Sequence, residues 1–534
     1  MGVIEELLAT QLHNFSFSDF AIAVGATFAL YRLAIIFYRI YLSPLAKIPG
    51  PKLAAATSLY QTYFDIIKNG TFVFHVPQKL HPKYGPTVRV GPNRIRLSDA
   101  ESFQQIHKIG TKFTKDRDFY LMFGHDYIVN ERSNEIHRKR RAPFANSFGP
   151  AEVRKQEPLV REKMERLLNK FDELCKDGGE KASVNLDWAI QCMALEVFFQ
   201  FSFGTEVEKY IDTPGFAHSI ISDGEPFMNQ NIRSRTFPTF YYCVSPWFPE
   251  WFKNLTMDSW MVQIRFKAMG AGLIRDYGKK YLEAKRSGKE LTGPDGGPKK
   301  YTYLDGLLDR LKEGEELSEQ VVYDAVFIFI ASFATVASVI NQAIVGINRN
   351  QSIYKKVMKE IDEAYATEKV QKNGGYIDSD TIQGMSYFQA VYKEALRLAV
   401  AASGPLPRVT PPEGATLAGH YFPGGTIVEH AIYTMQTNAS VFPDPLVFRP
   451  ERWLASPKEV AEMDKYMIAF GGGSRICLGQ NLGAVQVQVT IVGILRRFDV
   501  ELSKGLQEKG IEFLDKWGSL LISDFVCTIR PRKV

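Results

Sequence analysis

The segment from Ser318 to about Asn348 carries no charged residue between Val326 and Val345. Ser318 stands where a side-chain oxygen caps a helix N-terminus. At 1.5 Å per residue such a helix runs about 45 Å, the width of a whole domain. A helix that is apolar on nearly every face has to be covered on every face. The sequence supplies the cover: residues 150–285 read as a series of amphipathic helices, and 353–366 and 387–400 as a further pair. Strand signals are few. Residues 87–90 and 94–97 alternate around a Gly91-Pro92-Asn93 turn, and short strands flank Pro411–Gly414 and Pro423–Gly425. No internal repeat is present. The expected fold class is mainly α with a small β annex, as one large domain.

Composition excludes several alternatives. Of the 534 residues, 45% are hydrophobic and 23% charged, so a disordered chain is excluded. A mean hydropathy of −0.16 excludes a polytopic membrane protein. A net charge of +6, with His137–Arg141 as the one dense basic run, argues against nucleic acid as the main partner. Five cysteines, at 175, 192, 243, 477 and 527, form no CxxC pair and suit a reducing compartment.

Phe20–Tyr38 is the strongest apolar stretch. Its length is about 28 Å as a helix, close to a bilayer core. Arg32 interrupts it near enough to one end to snorkel. Acidic residues precede the span (Glu5, Glu6, Asp19) and basic residues follow it (Arg39, Lys47, Lys52). By the positive-inside rule the bulk of the chain faces the cytosol. A cleaved signal peptide would need a basic start; a buried core helix is the other alternative. The stiff Ile48-Pro49-Gly50-Pro51 follows. The expected organisation is an anchor over 1–43, a proline-rich hinge over 44–52 and a body over 53–534.

The most informative motif is Phe470-Gly471-Gly472-Gly473-Ser474-Arg475-Ile476-Cys477-Leu478-Gly479, followed by an amphipathic helix pattern over 480–495. Three glycines let the backbone come close to something flat or bulky. A thiol at a helix N-terminus is expected to have a lowered pKa and to rest as a thiolate. Such a thiolate is an electron-donating axial ligand for haem iron, and Arg475 could reach a haem propionate. An inert buried cysteine is the alternative. A thiol nucleophile would need a partner His or Asp, and none is nearby in sequence.

The segment fits F-x-x-G-x-R-x-C-x-G at every fixed position and so resembles the haem-binding signature of the cytochrome P-450 family. Glu394-Ala395-Leu396-Arg397 resembles the family's E-x-x-R, and Phe448–Trp453 its P-E-R segment. The resemblance implies that Glu394, Arg397 and Arg452 form a buried structural triad locking the cysteine loop to the core. It implies haem b (iron protoporphyrin IX) with Cys477 as iron ligand, and Arg475, His137, Arg141 and Arg408 as cofactor-binding residues. His137 stands where the family often has Trp, while Arg138, Lys139 and Arg140 suit a solvated face for a reductase. The long helix departs from the family pattern. Ala331-Ser332-Phe333-Ala334-Thr335-Val336 keeps the Thr, the expected catalytic residue Thr335, but has Ala334 in place of the acid. Asp324 lies about 16 Å away along the axis, too far to substitute.

The resemblance therefore implies a haem-thiolate monooxygenase, similar to microsomal members of filamentous fungi. Its expected substrate is an apolar terpenoid, polyketide or alkaloid. Electrons would come from NADPH–cytochrome P-450 reductase, with cytochrome b5 as an optional second donor. The chain would sit in the endoplasmic reticulum membrane. The missing acid leaves open a rearrangement, dehydration or coupling at the same haem, or a sensor or carrier without turnover. Candidate substrate walls are Tyr120, Phe123, His125, Phe329, Phe333, Ala401–Leu406 and Trp517–Leu520.

Overall fold

The computed structural model describes residues 17–124, 127–204, 208–293, 301–523 and 525–533. The helices used below are α1 (Phe17–Phe37), α2 (Asn134–Ala145), α3 (Glu157–Asp177), α4 (Leu186–Phe203), α5 (Gly224–Thr236), α6 (Asp258–Ser287), α7 (Glu319–Ile330), α8 (Ala334–Asn348), α9 (Gln351–Tyr365), α10 (Ser386–Ala399) and α11 (Gln480–Arg497). The small strands are β1 (Thr87–Gly91), β2 (Arg94–Leu97), β3 (Thr114–Lys115), β4 (Arg408–Val409), β5 (Ile427–Glu429), β6 (Phe513–Lys516) and β7 (Gly518–Leu521).

The single long helix expected over 318–348 is two helices. Ser318 caps α7 by accepting from the Val321 N–H, as anticipated. The ladder then breaks at Ala331–Phe333 and restarts in α8. At the break Thr335 Oγ1 donates to Ala331 O (2.8 Å), and Ser332 Oγ joins its own N–H on Phe329 O (2.8 Å and 3.1 Å). Such side-chain-to-backbone bonds are a known cause of helix bending. Beyond the break, α8 is central: Ile340, Ala343 and Ile344 are fully buried among α4, α10 and α11. Helix α6 covers α7, and α5 lies on α6.

Five strands form the annex in the order β1-β2-β5-β4-β3, with β2 and β5 parallel and the other neighbours antiparallel. A second sheet joins 182–185 and 498–501 to either side of 526–531.

Helix α1 has no buried residue, and an 18-residue window within the helical stretch Phe17–Leu42 has a mean hydropathy of 2.0, which fits a single-pass membrane anchor. The hinge behind it is docked. Leu45 and Ile48 pack with Ile95, Leu97 and Phe422. A Cβ on Gly50 would lie 2.4 Å from Arg89 O, so that position needs glycine. Arg89 donates to Arg39 O (2.8 Å) and Pro92 O (2.7 Å), joining the segment after α1 to the sheet. In the 237–255 segment Phe237, Phe240, Trp247, Trp251 and Leu255 are exposed.

Glu394 and Arg397 are fully buried on α10. Glu394 accepts from Arg397 Nε (2.9 Å) and Nη2 (2.7 Å), Arg452 Nε (3.1 Å), Trp453 Nε1 (2.9 Å) and the Arg449 N–H (3.0 Å). Arg397 Nη1 continues to Gln436 O and Pro445 O. The triad thus ties α10 to the 436–453 stretch, and only through that stretch to the cysteine loop. Removing the acid alone strands two buried guanidinium groups. Glu394→Ala is expected to cost about 3–5 kcal/mol in denaturant unfolding; a loss below about 1 kcal/mol would contradict this account.

Candidate functional site

The cysteine loop closes on itself through the Cys477 N–H, which donates to Phe470 O (2.8 Å), and α11 starts directly after Gly479. Gly471 and Gly473 have φ of 72° and 58°. A Cβ on Gly473 would lie 1.7 Å from His107 O, and one on Gly472 3.0 Å from the Phe103 ring. The close approach the glycines permit here is to the chain's own helix 100–107.

Cys477 is accessible to solvent, yet protein surrounds it closely. Burial pushes its thiol up, against the expectation of a resting thiolate. The backbone N–H groups of Gly479 and Gln480 and the Arg141 guanidinium pull the other way. The loop therefore holds the donors that favour a thiolate, without enough of them to overcome desolvation. Arg141 Nη1 donates to Ile476 O (2.8 Å), the carbonyl next to the cysteine.

The other expected cofactor residues gather on the sheet side. Arg475 bonds Asn134 Oδ1 (2.9 Å), Arg132 O and Ser133 O at the start of α2, leaving its buried Nη1 without a partner. His137 is buried on α2, and desolvation, followed by Arg475, Lys115 and Arg141, lowers its pKa to about 2. It is therefore neutral, with a single N–H to donate. Arg408 donates to Tyr120 Oη (3.1 Å) and Pro407 O (2.9 Å).

Two members of the cluster were not evident in the sequence. The β3–β4 register sets Lys115 opposite Arg408, and Lys115 Nζ donates to Val129 O (2.5 Å) over the Tyr120 ring. His107 is buried with Nε2 unpartnered. Burial first, then Arg408 for both, lowers the pKa of Lys115 and of His107 well below the usual values. Nothing local marks either residue: the β3–β4 pairing brings Lys115 to a partner 293 positions away, and His107 lies against the cysteine loop at Gly473. The result is a buried surplus of positive charge, with Glu131 the acid that acts on Lys115 and Arg475.

Arg140 does not belong to the expected solvated face. It is nearly buried and pairs with Asp324 Oδ1 (2.6 Å) and Glu131 (3.3 Å). Asp324, which also accepts from the Ile128 N–H (2.7 Å), is thereby committed to structure.

At the helix break, Ala331 and Ala334 are exposed and Thr335 half-buried, whereas α8 is buried from Val336 to Asn341. Ala401, Ala402, Leu406, Trp517 and Leu520 are half-buried. Phe329 and Phe333 are no wall. Phe329 stacks on Phe266 (5.3 Å, 7°) and meets Phe199, and Phe333 lies in the same aromatic core. Tyr120 is buried with its hydroxyl taken by Arg408, and His125 lies outside the described residues. A surface hollow of about 580 Å³ at Asn348 and Glu508 is about 20 Å along α8 from Thr335 and plays no part in the site.

A family model described as Cytochrome P450 matches residues 51–524. The chain belongs to the cytochrome P450 family. Among its relatives are the cytochrome P450 monooxygenases macH of Penicillium terrestre and BOT1 of Botryotinia fuckeliana. The first is 28% identical over 94% of this chain and 95% of the relative; the second is 29% identical over 94% of each. TRI4 of Trichoderma arundinaceum, also a cytochrome P450 monooxygenase, is 27% identical over 90% and 89%. The chain is thus a P450 oxidoreductase of the monooxygenase type, and the family implies a haem iron, a redox partner and a small-molecule substrate. The residues fit that cofactor. An accessible thiol sits among thiolate-favouring donors, and a buried cationic cluster with an unpartnered Arg475 Nη1 and His107 Nε2 suits an anionic group.

Uncompensated buried cations cost stability until an anion neutralises them. Lys115→Met is therefore expected to leave the cofactor-free protein as stable as before, or more so, while haem is lost faster to an apoprotein acceptor. Equal haem loss in both proteins would contradict this. The buried neutral histidines add a pH effect. A folded pKa below the unfolded value means the unfolded chain binds more protons, so stability falls as pH drops below about 6.5. His137→Phe should flatten that acid limb between pH 6.5 and 4; an unchanged slope would show that His137 is not one of its sources.

Proposed function

We propose that this chain is a haem-thiolate monooxygenase that oxidises a bulky apolar small molecule, a fungal secondary metabolite of the terpenoid, polyketide or alkaloid kind. The observation that carries this reading is the pairing of an accessible Cys477, in its glycine-closed loop, with the small open face Ala331–Ala334–Thr335 at the helix break. Cys477 would hold the iron of haem b. Arg475, His137, Arg408 and Lys115 would hold its carboxylates, and Arg141 would steady the loop at Ile476. When bound, the haem supplies the dioxygen and electron chemistry.

The protein's own contribution is placement, dryness and protons. The alanines at 331, 334, 401 and 402 leave room beside an apolar wall, which favours a bulky skeleton over a polar one. Thr335 donates its proton to Ala331 O, so its free lone pairs accept a hydrogen bond from a water on the cleft side. A water held there would take the place of the acid absent at 334. Electrons would come from NADPH–cytochrome P450 reductase, with cytochrome b5 as an optional second donor. The apolar α1 would anchor the chain in the endoplasmic reticulum membrane with its body in the cytosol.

A second reading rests on Ala334 and on the commitment of Asp324 to Arg140. With no acid at the break, oxygen use would be altered and the product would form by rearrangement, dehydration or coupling. Reconstitution with the reductase, a panel of terpenoid and polyketide precursors and isotopically labelled dioxygen separates the two. Label in the product supports monooxygenation; unlabelled product supports the second reading. Thr335→Ala is expected to lower product formed per NADPH, on the order of 10²-fold if its hydroxyl carries the relay, and Ala334→Asp to leave it equal or higher. Unchanged coupling in Thr335→Ala would remove Thr335 from the relay.

A further inference from the structure

Arg235, on the last turn of α5, is a buried junction between segments far apart in sequence. Its Nη2 pairs with Asp65 Oδ2 (3.0 Å) and its Nη1 with Asp515 Oδ2 (3.5 Å), and all three side chains are at most 5% exposed. The guanidinium lies over the Phe119 ring (5.6 Å). Asp515 is the busier acid. Its other oxygen accepts from Ser403 Oγ (2.9 Å) and from the Trp517 N–H (3.0 Å).

Trp517 is the one residue between β6 and β7, whose register pairs Lys516 with Gly518. Its φ is +76°, a conformation that a bulky residue holds only under constraint. The constraint is visible on both sides of the residue. Asp515 takes its N–H, and its carbonyl accepts from the Gly404 N–H (3.4 Å). A Cβ on Gly518 would lie 2.3 Å from Met228 Cε, so the tip seats tightly under α5. The Trp517 ring meets Phe123 edge-on (4.7 Å, 82°) and lies 6.5 Å from Phe327 of α7. The half-buried ring thus packs on Phe123, one of the walls expected from the sequence, and in its hairpin the Ser519 N–H donates to Ala401 O (3.2 Å).

We infer that Arg235, acting through Asp515, is a positioning residue that fixes the strained Trp517 as one wall of the substrate cleft and so sets the bulk of apolar molecule it admits. Neither charge touches the reacting atoms. The inference rests on the reading of the Ala331–Thr335 face as the substrate side.

The test uses full-length holoprotein and two azoles, imidazole and the bulky clotrimazole, titrated by visible difference spectroscopy. Imidazole needs only the iron; clotrimazole also needs the walls. Arg235→Met, Asp515→Ala and Trp517→Ala are each expected to shift the clotrimazole-to-imidazole affinity ratio by about fivefold or more. The Arg235→Met/Asp515→Ala double variant should go no further than the larger single effect. A ratio within about twofold of wild type in haem-loaded Asp515→Ala or Trp517→Ala would overturn the inference, as would single effects that multiply in the double variant. If Arg235→Met does not load haem, the other two variants decide. A wild-type protein that gives no azole shift would overturn the haem-thiolate reading itself, and this inference with it. An unmoved ratio in responsive protein overturns the inference alone.

Discussion

The arrangement of the site depends on one loop closing in one place. Cys477 is set by the bond from its own N–H to Phe470 O and by the seat of Gly473 against His107 O, where no side chain would fit. With the loop fixed, α11 leaves from Gly479 into the core beside α8, and Arg475 faces back to the start of α2. A side chain at 473 would push the loop off helix 100–107. It would disturb the thiol and the cationic cluster together, because His107 belongs to both neighbourhoods.

Two opposed costs meet around this loop. Desolvation raises the Cys477 thiol and depresses Lys115, His107 and His137. Arg141 is too little positive charge to offset burial of the thiol, and Glu131 too little negative charge to offset burial of the cations. A cofactor that carries a metal cation at its centre and carboxylates at its edge relieves both at once. Cofactor binding and folding should be strongly linked here, and the Glu394-centred triad, complete without any ligand, keeps the remainder of the body in register.

Much of this was legible in local sequence. The cysteine loop, the Ser318 cap and the β1–β2 hairpin are short-range patterns, and each formed where its residues pointed; the burial of Glu394 and Arg397 followed only from the family resemblance. Other features needed tertiary structure. The break at Ala331–Phe333 comes with hydroxyl-to-carbonyl bonds from Ser332 and Thr335, which apolar periodicity does not register. Lys115 joins the cluster through the β3–β4 pairing and His107 through the seat of helix 100–107 against the cysteine loop, each across hundreds of residues. Arg140 read as a surface charge because its partner Asp324 sits 184 residues away. Phe329 and Phe333 read as walls because helical spacing does not say which face turns toward α4 and α6. The thiol's raised pKa reflects burial, which outweighs the helix-end effect that sequence suggests.

The bond between Cys477 sulfur and a haem iron is the claim on which the functional account stands. The optical spectrum of the reduced protein under carbon monoxide measures it directly, in wild type and in Cys477→Ser. The account predicts the red-shifted Soret band of thiolate ligation in the wild type and its loss in the serine variant. A wild-type protein without that band, or a variant that keeps it in full, would contradict the account.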